Sequence, residues 1–264
     1  MAGLRLRRQN FSATLVLLTA IPAVFAQPQS PQLPAPGKEM LSYAIEWRLI
    51  SAGMAKMTVS SLPSPGPPRS SAPATEIKLH IESAGLVSRL FRVEDDYTSL
   101  QGQNFCAQST FMAAHEGSRN KETRVVYDAQ ARRATWVEKD LVKNATNTQG
   151  VDIPSCVHDV MGGLMVLRNL RLEPGKTASL PLSDGKKYVQ ARVESQRRED
   201  LKTELGTFKT IRYEVFLFDN VLYKRSGHLH IWLTDDERRL PVQLQVRLQF
   251  TIGTITFRLV KEEK

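Results

Sequence analysis

The sequence is poor in the residue types that most enzymes advertise. It holds two cysteines in 264 residues, Cys106 and Cys156, and aromatic residues make up 7 % of the chain. No C-x-x-C pair exists, so dithiol exchange has no motif. No G-x-S-x-G elbow, P-loop or G-x-G-x-x-G is present, and His115-Glu116 lacks the second histidine of a zincin helix. After residue 26 no apolar run approaches the roughly 20 residues that a membrane-crossing helix needs. These absences leave no catalytic residue to name and no implied cofactor.

The N-terminus carries the first positive signal. Arg5, Arg7 and Arg8 precede an apolar run from Phe11 to Phe25, and Val24 and Ala26 stand at −3 and −1 of a cut after Ala26. That is the layout of a secretory signal peptide, 1–26. No cysteine follows the cut, so the expected product is exported, periplasmic and soluble, without a lipid anchor. Cleavage removes three arginines and no acid, so the formal charge of +9 becomes +6. A moderately basic exported chain fits an anionic envelope. Nucleic acid is not an expected partner, because no basic stripe is interleaved with aromatics. In an oxidising compartment two cysteines are expected to form one disulfide, the other arrangement being two buried thiols.

Residues 27–37, QPQSPQLPAPG, form a proline-rich tether. From Lys38 onward one β-rich domain, 38–264, is expected. Leu41, Tyr43, Ile45, Trp47 and Leu49 alternate with Ser42, Ala44, Glu46 and Arg48, which is the period of a strand with one buried face. A Pro/Ser loop at 62–74 interrupts the pattern. Further runs follow at 77–81, 92–101, 105–113, 120–128 and 133–142. Asp184-Gly185 tips a hairpin, and Val242 to Phe250 alternates with polar residues. About a dozen antiparallel strands should twist into a half-barrel or barrel-like sheet with an apolar inner face.

One helix is expected, over 155–170. Pro154 precedes it, Ser155 can cap it, Asp159 suits its first turn, and Val160, Leu164 and Leu167 recur at helical spacing. Gly162-Gly163 inside it points to close approach against the sheet. This helix is the only candidate to cover the concave face.

Several segments together resemble a bacterial family of exported proteins known as domain of unknown function 3108. They are EMLSYAIEW (39–47) running to Ala52-Gly53, SAGLVSRLF (83–91) running to Asp95-Asp96-Tyr97, RVVYD (124–128), GTFKT (206–210) and IWLTDDERRLPV (231–242). The resemblance implies an envelope protein with a curved β-sheet. It implies no activity.

His228 and His230 fall on one side of a strand, a possible two-imidazole edge to which His80 or Asp235 could add. A closed metal site needs about four ligands, so none is expected. Glu94-Asp95-Asp96 and Asp235-Asp236-Glu237 could serve acid/base chemistry, but solvated turns with local ion pairs are the simpler reading. Trp47, Leu90, Phe91, Tyr97, Leu164 and Trp232 are either core or the wall of a lipid-sized slot between sheet and helix. The leading expectation is non-enzymatic binding or carriage of an apolar envelope component. An envelope assembly factor working through protein contacts, and a hydrolase using an acidic cluster, are the alternatives.

Overall fold

The computed structural model describes residues 38–62, 74–249 and 253–263. The expected signal peptide (1–26), the expected tether (27–37), the interior of the Pro/Ser loop and Phe250 lie outside the described residues.

Fourteen strands form one antiparallel sheet. The first run comprises β1 (Lys38–Trp47), β2 (Ile50–Leu62), β3 (Ala74–Ser83), β4 (Val93–Gln101), β5 (Ala107–Glu116), β6 (Arg119–Asp128), β7 (Arg133–Asp140) and β8 (Ala145–Asp152). The second comprises β9 (Thr177–Ser183), β10 (Tyr188–Thr203), β11 (Gly206–Val215), β12 (Gly227–Thr234), β13 (Pro241–Leu248) and β14 (Gly253–Glu263). Each run is a meander. They join in the middle, where β14 pairs with β1, so Tyr43 faces Leu259 and Ile45 faces Phe257 across the junction. The two edges are β8 and β9, consecutive in sequence, and the sheet does not close between them.

The β9 edge is tucked inside the curl. Tyr127 Oη on β6 donates to Ser183 O at 3.1 Å, and Gly185, in the turn after β9, sits against Val125 and Trp136. With φ of +86° and those side chains where a Cβ would go, glycine is required there. The connection from β8 to β9 makes the same contact from below. Ala107 N donates to Val157 O at 2.8 Å and His158 N to Pro181 O at 2.9 Å. Cys106 and Cys156, 50 residues apart, are disulfide-bonded beside these bonds. Closing a loop of that length is worth about 4 kcal/mol in the chain-entropy account.

That connection carries the main helix, α2 (Val160–Asn169). It begins later than the periodicity predicts, because 157–158 are held extended against β9 by the bridge from His158 to Leu182. Asp159, not Ser155, is its cap. Met161, Leu164, Met165 and Leu167 are buried against the concave face. A Cβ on Gly162 would lie 2.9 Å from Phe105 O, and one on Gly163 would lie 2.8 Å from Leu182, so both glycines mark the close approach that their pairing suggests. At the other end Arg168 forms a fork with both oxygens of Glu39, at 2.6 and 2.9 Å, and donates to Arg239 O at 3.1 Å. A second, short helix, α1 (Gly85–Leu90), spans the β3–β4 connection and buries none of its residues. Six residues are too few to show a helical period.

The concave face is not apolar throughout, which corrects the expectation from strand alternation. On β1 and β10–β14 the inward positions hold Leu41, Tyr43, Val193, Tyr213, Leu233 and Leu259, all nearly or fully buried. On β4 the inward positions are Asp95, Tyr97, Ser99 and Gln101, opposite Ile81, Leu79, Ile77 and Thr75 of β3. Thr110, Thr123 and Glu138 continue this polar strip across β5, β6 and β7.

Candidate functional site

Because the strands are antiparallel, the turns β1–β2, β3–β4, β5–β6, β7–β8, β9–β10 and β11–β12 gather at one end of the curl. The C-terminal end of α2 and its bonds to Glu39 and Arg239 lie at the opposite end. The helix therefore fills one end and leaves the other hollow.

Two adjoining hollows result. The inner one, of about 360 Å³, lies between β3–β7, the start of α2 and the β9–β10 turn. Leu79, Met112, Val125, Trp136 and Met161 give it apolar walls, and Asp95, Tyr97, Thr110, Tyr127 and Asp159 add polar atoms. The outer one, of about 840 Å³, is lined by Ile45, Trp47, Val87, Leu90, Phe91 and Phe257 among others. Ile81 lines both, so the two are neighbours across that side chain.

Asp159 organises the inner end. Its Oδ1 accepts from Met161 N at 2.8 Å, Gly162 N at 3.2 Å and Tyr97 Oη at 3.2 Å. Its Oδ2 accepts from Ser99 Oγ at 2.7 Å and Gln101 Nε2 at 3.2 Å. The carboxylate is 1 % exposed. Five donors and the positive end of α2 offset the cost of burying it. Burial and the Asp159 charge hold the Tyr97 phenol well above its usual range, and the same two causes raise Tyr127. Tyr223 is partly exposed, and desolvation of its phenol, with Asp184 and Asp159 nearby, pushes it up to about 12. Burial, with Glu116 nearby, raises Asp95. The three phenols thus stay protonated at neutral pH, and Tyr97 and Tyr127 donate to Asp159 and Ser183 O. Ser99 Oγ and the Asp159 carboxylate do pair, but Ser99 is fully buried and lines neither hollow, so the pair anchors the start of α2 instead of facing the open space.

Of the side chains singled out from sequence, Trp47, Leu90 and Phe91 come together in the outer hollow and Tyr97 lines the inner one. Leu164 is packed in the core beneath and lines neither. Trp232 points to the outward side of β12, paired with Arg212 and Gln243, where it is nonetheless buried and its Nε1 donates to Glu199 Oε1 at 2.8 Å. Trp136, Tyr127 and the hub role of Asp159 were not drawn from the sequence. Asp159 was visible only as a first-turn acid, and the strip of hydroxyls facing it comes from strands brought together by the fold.

The histidines and acidic runs do not converge. His228 and His230 share the carboxylate of Glu214 on the outer face, at 2.8 and 3.8 Å, and burial lowers the pKa of His230. His80 pairs with Asp96 and Arg92 with Glu94, while Asp95 faces the hollow. Asp235 pairs with Arg198 and Glu237 with Arg171, in a turn where Asp236 accepts from the Arg238 and Arg239 amides. Among the described residues no three His, Cys, Asp or Glu side chains gather in a metal-binding group.

The fold and its hollow define a class: a curled, unclosed antiparallel sheet that wraps an internal helix, resembling a β-barrel. Within that class the chain belongs to the family described as protein of unknown function (DUF3108), which matches residues 42–260. A crystal structure of a β-barrel-like protein of domain of unknown function DUF1849 from Brucella abortus is similar, with 8 % identity and a TM-score of 0.51. The match covers 86 % of this chain and 97 % of that one. A putative exported protein with a YmcC-like fold from Bacteroides fragilis aligns at 9 % identity and a TM-score of 0.31, over 89 % of this chain and 97 % of its own. No curated protein matches the chain. The first likeness concerns the fold alone.

Proposed function

We propose that the protein is an exported binding protein that holds an apolar or amphipathic envelope molecule, such as a lipid, in the adjoining hollows of the half-barrel. The observation that carries this reading is the adjacency, across Ile81, of an outer hollow walled by Trp47, Leu90 and Phe91 and an inner one walled by Leu79, Val125 and Trp136. Together they offer room of the order of a small-molecule site, with apolar walls interrupted by the polar strip of β4–β7 in the inner hollow and by Glu82, Glu116, Arg119 and Arg225 in the outer one. Tyr97 and Tyr127 donate to Asp159 and Ser183 O, so they offer an amphipathic guest acceptor oxygens at the inner end. The signal-like N-terminus and the Cys106–Cys156 disulfide favour an oxidising compartment outside the cytoplasm. Among the described residues no helix is long and apolar enough to cross a membrane.

Native mass spectrometry of delipidated protein, mixed with a bacterial lipid extract and then desalted, tests this. A discrete bound mass of lipid size is expected. Protein that emerges bare under conditions preserving its fold would remove the binding role.

A second reading rests on the edge strand β8, which pairs only with β7 and is exposed along nearly its whole length. An assembly factor could add a partner strand there. Protection of the β8 amides from hydrogen exchange by an added envelope protein would support that reading.

A further inference from the structure

Among the described residues, eleven large apolar side chains stand exposed, and eight of them are at the hollow end of the curl. Leu49, 92 % exposed, tops the β1–β2 turn, followed by Ile50. Leu86, Leu90 and Phe91 crown α1 and its end, with Leu90 72 % exposed. Leu141 and Val142 form the β7–β8 turn, and Tyr223 stands in the β11–β12 connection. The other three, Met54, Val126 and Leu205, are scattered over strands and a turn elsewhere. A patch of this kind on one rim needs a partner.

The charge of the same turns says which. Arg48 stands beside Leu49, Arg89 and Arg92 flank Leu90 and Phe91, and Lys143 follows Val142. Lys186 and Lys187 tip the β9–β10 hairpin, and Lys224 and Arg225 follow Tyr223. All eight cations are exposed, against two acids in these turns, Asp184 and Asp219, and two at the adjoining strand ends, Glu94 and Asp140, which pair with Arg92 and Lys143. At the opposite end the described turns β4–β5, β6–β7, β10–β11 and β12–β13 and the β8–β9 connection carry Arg132, Arg168, Arg171, Lys176, Arg238 and Arg239 against Asp159, Glu173, Glu204, Asp235, Asp236 and Glu237, a balanced set. The positive excess is thus a property of one rim, and it coincides with the exposed leucines. Leucines and a phenylalanine that can enter the acyl boundary, ringed by arginine and lysine, match an anionic bilayer.

We propose that the open rim docks on an anionic lipid surface, with Leu49, Leu86, Leu90, Leu141 and Val142 entering the interface. The inference rests on the binding reading only for its consequence: docking in this orientation puts the mouth of the outer hollow, at Trp47 and Phe91, against the bilayer. A guest could then pass between membrane and hollow without crossing water.

Flotation of the mature protein with vesicles tests the rim. Vesicles of phosphatidylethanolamine with phosphatidylglycerol are expected to carry the protein at low salt, phosphatidylcholine vesicles far less. Leu86→Asp with Leu141→Asp is expected to lower partition about tenfold or more, since two apolar side chains leave the interface and two like charges enter. Arg89→Glu with Arg92→Glu is expected to lower it comparably and to weaken its salt dependence. Neither Leu86 nor Leu141 lines a hollow, so lipid capture in native mass spectrometry is expected to persist in that variant. Loss of capture with retained flotation would therefore count against the binding reading alone. Equal flotation on both vesicle types, or flotation unchanged in folded variants as judged by circular dichroism, overturns the proposal. Flotation that requires an added envelope protein also overturns it, and assigns the rim to a protein partner.

Discussion

The two flanks of the concave wall share one backbone plan and differ in what they hold. On β1 and β10–β14 the inward side chains are mainly Leu, Ile, Val, Phe and Tyr, with Ala191 and Ser195 among them, and with α2 they close into a core. On β4–β7 the inward side chains alternate among Asp, Tyr, Ser, Thr, Val and Glu, and a hollow remains. The polar flank is tied down by a few directed bonds, chiefly to Asp159, and by the disulfide. The lesson is that a strand's period decides where a side chain points, and that its identity decides whether the space in front is filled.

Substitutions in the two flanks should separate them. The largest effect is expected in the filled one. Leu41→Ala, at a fully buried site between β2 and β14, should cost about 3 kcal/mol in denaturant unfolding. Met112→Ala, at the wall of a space already open, should cost less than half as much. Equal losses would mean that the flanks do not differ as described.

Asp159→Ala comes next, at about 2 kcal/mol, because it removes the helix cap and leaves the Ser99, Gln101 and Tyr97 donors without their acceptor. Asp159→Asn keeps part of the cap and should lose less. Hydrogen exchange in the first turn of α2 reads this locally.

The smallest effect, of opposite sign, is expected at Asp95. Its folded pKa lies above the ordinary 3.8, so the folded state keeps the proton longer than the unfolded chain does. Stability then falls as pH rises from 3.8 through the folded value, and the loss persists at neutral pH. Asp95→Asn, which keeps an acceptor for His115 N, should raise the melting temperature slightly at pH 7 and leave it unchanged well below pH 3.8. A lower melting temperature at pH 7 would show that the carboxylate is favourably paired.

How legible each flank was in the sequence follows the same division. Leu41 to Trp47 and Val242 to Leu248 alternate cleanly, so both strands and their buried faces could be read directly. In β5 and β6 the apolar residues occupy both faces. Phe111 is on the outer face under Arg124, and half-exposed Val126 is outside while Val125 is inside. Period two then identifies a strand without fixing its inner side. Strand β8, ATNTQGVD, has almost no apolar residue and was not anticipated, because it is held by pairing with β7 alone. The start of α2 was misplaced for a related reason. The bridge of His158 to Leu182 is a contact between distant strands that no local pattern encodes.

The chain's three tryptophans stand at three informative places: Trp47 in the outer hollow, Trp136 in the inner one and Trp232 on the outer face. Single-tryptophan variants, with the other two changed to Phe, can be titrated with a fatty acid brominated along its chain, which quenches only at contact. Saturable quenching of Trp47 and Trp136 with Trp232 left bright is the predicted result. Quenching of Trp232 alone, or of none of the three, would contradict a guest held in the half-barrel.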